Sequence, residues 1–95
     1  MLFAERIKQL REEKQFLQRQ LAATLEIDTP MYSKIERGDR RAKREQVVIL
    51  ATLLQTDQKE LLTLWLADQV IAVITDEKEL ADKALNIAKQ NINKK

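Results

Sequence analysis

The segment Leu17–Gly38, LQRQLAATLEIDTPMYSKIERG, constrains this chain more than any other, because the only proline and the only glycine both fall within it. Asp28 and Thr29 are residue types that cap a helix start, and Pro30 sits where a first-turn N–H has no intrahelical partner to lose. Gly38 is suited to the left-handed residue that closes a helix. Between these marks Tyr32 and Ile35 lie three apart and face inward, which predicts a helix over Thr29–Arg37. Upstream, Leu21, Ala22 and Leu25 give a second buried stripe over Gln18–Leu25. The segment therefore predicts two short helices joined by a tight turn.

The rest of the chain agrees with an all-α class. Leu, Ala, Gln, Glu, Lys and Arg dominate, and all are good helix formers. A first helix is predicted from Leu2 to Lys14, with Phe3, Ile7 and Leu10 on one stripe and Glu5, Lys8, Glu12 and Glu13 toward water. Phe16, just before the second helix, and Leu21, one turn inside it, have hydrophobic-staple spacing. A fourth helix is predicted over Arg44–Gln55, with Val47, Leu50, Ala51 and Leu54 inward. Asp57 with Glu60, and Asp76 with Glu79, have capping-box spacing for a fifth helix and for a sixth over Glu77–Asn91. The sixth carries Leu80, Ala84, Leu85, Ile87 and Ala88 within a Lys/Asp/Asn surface, and Asn91–Lys95 are expected to fray. The fifth is unusual, since apolar residues from Leu61 to Ile74 fall nearly all round it and must be covered on more than one side.

Composition excludes several functions. No Cys and no His are present, which removes disulfides, thiolate zinc sites, cysteine nucleophiles and the commonest general base. A single glycine cannot build a phosphate-binding glycine loop. With no paired catalytic constellation in view, the expectation is a protein that is not an enzyme, with no cofactor, no metal and no evident small-molecule ligand. No apolar run approaches 18 residues and no signal-peptide pattern opens the chain, so a cytoplasmic protein without membrane contact is expected.

The net charge of +2 is modest, but its distribution is informative. From Ser33 to Arg44 the chain carries Lys34, Arg37, Arg40, Arg41, Lys43 and Arg44 against only Glu36 and Asp39. A charge run is ordinarily just a solvated face. This one follows directly on a helix that would cross its predecessor steeply, the arrangement that lays a helix in the major groove and grips phosphates at its edge.

The ordered spacing of Leu10-Arg11, Gln18, Leu21-Ala22, Leu25, Ile27, Ser33, Ile35-Glu36-Arg37-Gly38, Leu50-Ala51, Leu54 and Leu61 resembles the lambda-repressor/Cro-like (XRE-type) helix-turn-helix family. The resemblance implies a five-helix DNA-binding domain, here over residues 1–66, with an additional C-terminal helix in a 67–95 extension; the apolar area there exceeds what one short partner helix covers, so dimerisation is expected of it. The same resemblance implies that Thr29, Pro30, Ser33 and Lys34 contact base edges, with Met31 at the rim. It also implies that Gln18 binds a phosphate oxygen and that Arg11 pairs with Glu36. Arg37, Arg40, Arg41, Lys43 and Arg44 are expected to supply sequence-independent phosphate contacts. Two positions depart from the family pattern. Leu17 stands where Ser or Thr usually caps the second helix, a loss of about 1 kcal/mol. Glu26 stands where Gly usually accommodates positive φ, at a cost of roughly 1–2 kcal/mol.

The expected function is a bacterial or phage sequence-specific regulator of transcription, a repressor binding a palindromic or pseudo-palindromic operator on double-stranded DNA as a homodimer. The exposed face of the second helix offers Arg19, Gln20 and Ala23 in place of the acidic residues that activators of this kind often present, which favours repression. Trp65, Leu66, Val70, Ile71, Val73 and Ile74 are the candidate dimer interface, although helices five and six could instead satisfy each other within one chain. A restriction–modification controller or an antitoxin would share the fold. A protein-interaction module with a vestigial helix-turn-helix is the alternative from a different class.

Overall fold

The computed structural model describes residues 1–94. It contains α1 (Leu2–Glu13), α2 (Gln18–Thr24), α3 (Thr29–Arg37), α4 (Arg44–Leu53), α5 (Gln58–Ile74) and, after a single 3₁₀ turn at Thr75–Glu77, α6 (Lys78–Asn93). No strand occurs among the described residues. The architecture is the all-α one expected from the sequence, and the helix bounds agree with expectation to within two residues at most ends.

The core forms where the apolar stripes of α1–α4 meet the first half of α5. Ile7, Leu21, Tyr32, Val47, Leu50, Leu54 and Leu61 are fully buried, with Phe3, Leu10, Ala22, Leu25, Ile35, Ala42 and Ala51 closing around them. Phe16 and Ile27 pack on this cluster from the turns after α1 and α2. Ala22 is buried at the α2–α3 crossing, where its small side chain permits close approach.

The first four helices end in one way. Gln15, Glu26, Gly38 and Gln55 all have positive φ, of 61°, 58°, 81° and 53°. In the first turn Gln15 N–H donates to the Glu12 carbonyl and Phe16 N–H to that of Arg11; Glu26 with Ile27, and Gln55 with Thr56, repeat the pair of bonds. This is the Schellman arrangement, in which two orphan carbonyls are satisfied by the turn itself. The positive φ expected at Glu26 is thus present, and Gln15 and Gln55 share it although the sequence does not mark them. Gly38 has a further reason to lack a side chain. A Cβ there would lie 3.0 Å from Sδ of Met1, which packs over it.

The helix starts differ from one another. Asp28 caps α3 by accepting from Met31 N–H at 2.8 Å. Leu17 offers α2 no side-chain cap, and only the reciprocal half of the box exists, with Leu17 N–H donating to Gln20 Oε1 at 2.7 Å. Lys43 N–H is satisfied in the same way by Gln46 Oε1. The two capping boxes expected downstream are not formed as such. Asp57 accepts from Lys59 N–H, but Glu60 reaches across to Arg6 of α1 at 3.0 Å instead. Asp76 is drawn into the 3₁₀ turn, and α6 has no side-chain cap.

Beyond Asp68 the chain leaves the core. The rest of α5 after Asp68 and all of α6 contain no buried residue. The radius of gyration is 15.3 Å, where a compact chain of this length has about 12 Å. Helix α5 runs unbroken through Leu66 and Ala67, so the step from core to extension is a change in packing along one helix. Of the Asn91–Lys95 tail expected to fray, residues up to Asn93 continue α6, and Lys95 lies outside the described residues.

Candidate nucleic-acid interface

The outer side of α3 is open. Thr29, Pro30 and Lys34 are exposed, Ser33 is half-buried at the helix flank, and Met31 is half-buried beside them. Tyr32 and Ile35 on the opposite side anchor the helix in the core. Asp28 holds the first turn, so the exposed Thr29–Pro30 end is presented on an ordered backbone.

Behind α3, an ionic network ties three helices. The Arg11 guanidinium donates through Nη2 to Glu36 Oε1 at 2.7 Å and through Nε to Oε2 at 2.9 Å. Its Nη1 donates to the Phe16 carbonyl at 3.0 Å, so the same side chain also fixes the turn after α1. Gln18 Nε2 donates to Glu36 Oε1 at 3.2 Å. The Glu36 side chain is 2 % exposed and that of Arg11 13 %, so this pair is inside the protein. Burial alone would raise the Glu36 pKa; the hydrogen bonds and charge of Arg11, aided by Gln18, outweigh it and hold the carboxyl below its usual range. The hydrogen bond to Glu36 correspondingly raises the Arg11 pKa against the opposing effect of burial. The Tyr32 hydroxyl is buried beside Glu36 without a hydrogen-bond partner, and burial first, then the neighbouring carboxylate, push its pKa up. Glu36 is thereby a hub: through it, α1 and the first residue of α2 set the orientation of α3.

The basic rim follows α3. Arg40, Arg41, Lys43 and Arg44 are exposed and form no ion pair among the described residues. Arg37 is exposed but engaged, donating from Nη1 to Ser33 Oγ at 3.0 Å and from Nε to Asp39 Oδ2 at 3.1 Å. Both contacts are at the surface, where such a pair contributes little and can be exchanged for another anion. Gln18 stands at the start of α2, where N–H groups lack helical partners and favour an anion. The structure therefore groups Thr29, Pro30, Ser33 and Lys34 on one helix, with the cations on that helix and on the loop and α4 start immediately after it.

The six candidate interface residues divide. Trp65 turns toward the domain, half-buried, and its indole N–H donates to the Ala42 carbonyl at 2.8 Å. Leu66, Val70, Ile71 and Val73 are exposed, and Ile74 is half-buried against α6 in an apolar groove with Val70, Val73, Ala84, Leu85 and Ala88.

Two ties between α1 and α5 were not legible as such. Asp68 is buried, and its carboxylate accepts from the backbone N–H groups of Leu2 at 2.9 Å and Phe3 at 3.0 Å. It caps α1 from another helix, in place of Met1, which has no side chain able to do so. Its only trace in the sequence is an acid set inside the apolar Leu61–Ile74 run. Arg6 with Glu60 adds a second tie between α1 and α5. No helix is long and apolar enough to cross a membrane among the described residues.

Comparison with curated proteins and with solved structures returns no match. A family model described as a helix-turn-helix domain, however, matches residues 2–64. That span contains α1–α4, the Arg11–Glu36 network and the basic rim, and by this match the chain belongs to the helix-turn-helix domain family of DNA-binding regulators, in keeping with its lambda-repressor/Cro-like features.

Proposed function

We propose that the protein is a sequence-specific regulator of transcription that binds a palindromic or pseudo-palindromic operator as a homodimer, acting as a repressor by occluding a promoter. The single observation that carries this is an open outer side on α3, anchored from behind by Glu36 and flanked by exposed cations. In this reading α3 enters the major groove. Thr29 touches a base edge or a thymine methyl, Pro30 makes apolar contact, and Ser33 and Lys34 complete base readout. A well-formed bidentate base contact contributes about 1–3 kcal/mol of discrimination. Gln18, Arg37, Arg40, Arg41, Lys43 and Arg44 bind phosphates.

Dimerisation is assigned to the 67–95 extension and the end of α5, with Trp65 at the base of the interface and Leu66, Val70, Ile71, Val73 and Ile74 within it. Leu66, Val70 and Val73 recur at i, i+4 and i+7, one outward stripe of α5. Ile71 and, on α6, Leu80, Leu85, Ile87 and Ile92 are exposed as well, so the end of α5 and α6 hold many uncovered apolar side chains that a second copy would bury. A second copy is the occupant that DNA recognition calls for, since two α3 helices must reach half-sites about 34 Å apart.

Selection of bound sites from random double-stranded DNA tests the proposal. The expected result is a symmetric site, bound with steep salt dependence. Salt-sensitive binding with no sequence preference would refute specific regulation. Unchanged biological function after joint substitution of Arg40, Arg41 and Arg44 by Ala would favour the protein-interaction module.

A further inference from the structure

The loop from Gly38 to Lys43 carries Arg40, Arg41 and Lys43, yet it has little structure of its own. Its first N–H groups are spent on closing α3: those of Asp39 and Arg40 both donate to the Lys34 carbonyl. The loop then turns inward, burying Ala42 in the core before α4 begins. Among the described residues, one hydrogen bond from a distant element reaches its backbone, that from Trp65 Nε1 of α5 to the Ala42 carbonyl, 23 residues apart in sequence. Trp65 also shares a small enclosed space with the loop residues Gly38, Arg40 and Arg41. Three residues further along the same helix, Asp68 grips the start of α1. One face of α5 thus braces both the loop and α1, while Leu66, Val70 and Val73 on the other side stay exposed, the two valines along the groove against α6.

We propose that Trp65 is a positioning residue for DNA binding: by holding the Ala42 carbonyl it sets where the loop presents its cations to the phosphate backbone. This rests on the DNA-binding reading above and adds to it a residue that touches no DNA. The cost of losing the brace appears in phosphate contacts, because those need cations fixed at the spacing of the backbone. A loop free to wander keeps its charge but loses simultaneous contacts, and the salt dependence of binding counts such contacts.

The test uses the full chain and a labelled 24-base-pair duplex of arbitrary sequence, titrated at several salt concentrations. In W65F the aromatic ring remains and the donor is lost. A variant with benzothienylalanine at position 65 keeps the indole shape and lacks only the N–H, so it covers the case in which W65F folds poorly. The expected result is a three- to tenfold weaker affinity at low salt, the range set by one hydrogen bond, with a slope of log affinity against log salt shallower by about one contact. Helicity and thermal midpoint of the benzothienylalanine variant should stay near those of the unsubstituted chain. Equal affinity and an equal slope in that variant would overturn the proposal while leaving DNA binding intact. No salt-dependent binding by the unsubstituted chain would instead refute the DNA-binding reading, and this inference with it.

Discussion

The Arg11–Glu36 pair can be examined quantitatively because its two members differ in burial. Consider R11M, E36L and the double variant. In R11M the Glu36 carboxylate, 2 % exposed, keeps only the 3.2 Å donation from Gln18. Removing one partner of a buried pair costs about 3–5 kcal/mol, and this case belongs in that range. In E36L the guanidinium that remains is 13 % exposed and keeps the Phe16 carbonyl at 3.0 Å. Its expected cost is lower, about 2–3 kcal/mol. The double variant leaves no orphaned charge, so it should cost far less than the sum, with a coupling of at least about 2 kcal/mol. Urea unfolding followed by helix circular dichroism, with the slope against urea held constant across the series, measures all three. Since small domains are stable by only about 5–15 kcal/mol, R11M should be visibly marginal. Additivity within about 0.5 kcal/mol would show that the pair is an ordinary surface contact and would remove Glu36 as the hub that orients α3. Acid provides an independent check. Glu36 has a depressed folded-state pKa, so its contribution is present above the unfolded glutamate value near 4.3 and is lost as pH falls through the folded value. The unsubstituted chain should therefore lose stability on acidification below about pH 4.3 more steeply than E36Q.

Other expectations are independent of that pair. Replacing Gln15, Glu26 or Gln55 by Gly should stabilise the protein by up to about 1 kcal/mol each, through relief of positive φ, as measured by thermal midpoint; destabilisation at all three would refute that account of the turns. Gly38→Ala should destabilise by about 1–2 kcal/mol, from its φ of 81° and the approach of Met1. Asp68→Ala orphans two N–H groups at the start of α1 and should cost about 1–3 kcal/mol, with faster hydrogen exchange at Leu2 and Phe3. V70D with I74D should give a helical monomer by sedimentation and greatly weaken operator binding; an unsubstituted chain that is monomeric at micromolar concentration would refute the dimer.

The helix-turn-helix was legible because each of its signals is local. Asp28, Pro30 and Gly38 mark the ends of α3 through their own backbone chemistry, and the stripes Leu21–Ala22–Leu25 and Tyr32–Ile35 follow from helical period alone. The positive φ at Glu26 could be expected only because the family pattern holds Gly there. At Gln15 and Gln55 the same geometry arises from Schellman turns closed by Phe16 and Thr56, and neither glutamine announces it. The Asp57–Glu60 spacing misled in part, because Glu60 finds a better partner in Arg6, 54 residues away, than in its own helix start.

Helix content, the ends of the recognition helix and the clustering of cations after Gly38 depend on residues within a turn or two of each other, so the linear chain suffices to specify them. The roles of Asp68 and Trp65 do not, and the pairing of Glu36 with Arg11 could be expected only through the family pattern. Each is a polar group whose partner lies far away in sequence, and only folding decides whether it meets water, a free N–H or an opposing charge. Desolvation then makes that meeting consequential: a carboxylate that would be an unremarked surface group in an extended chain becomes, once enclosed, the point about which two helices are set.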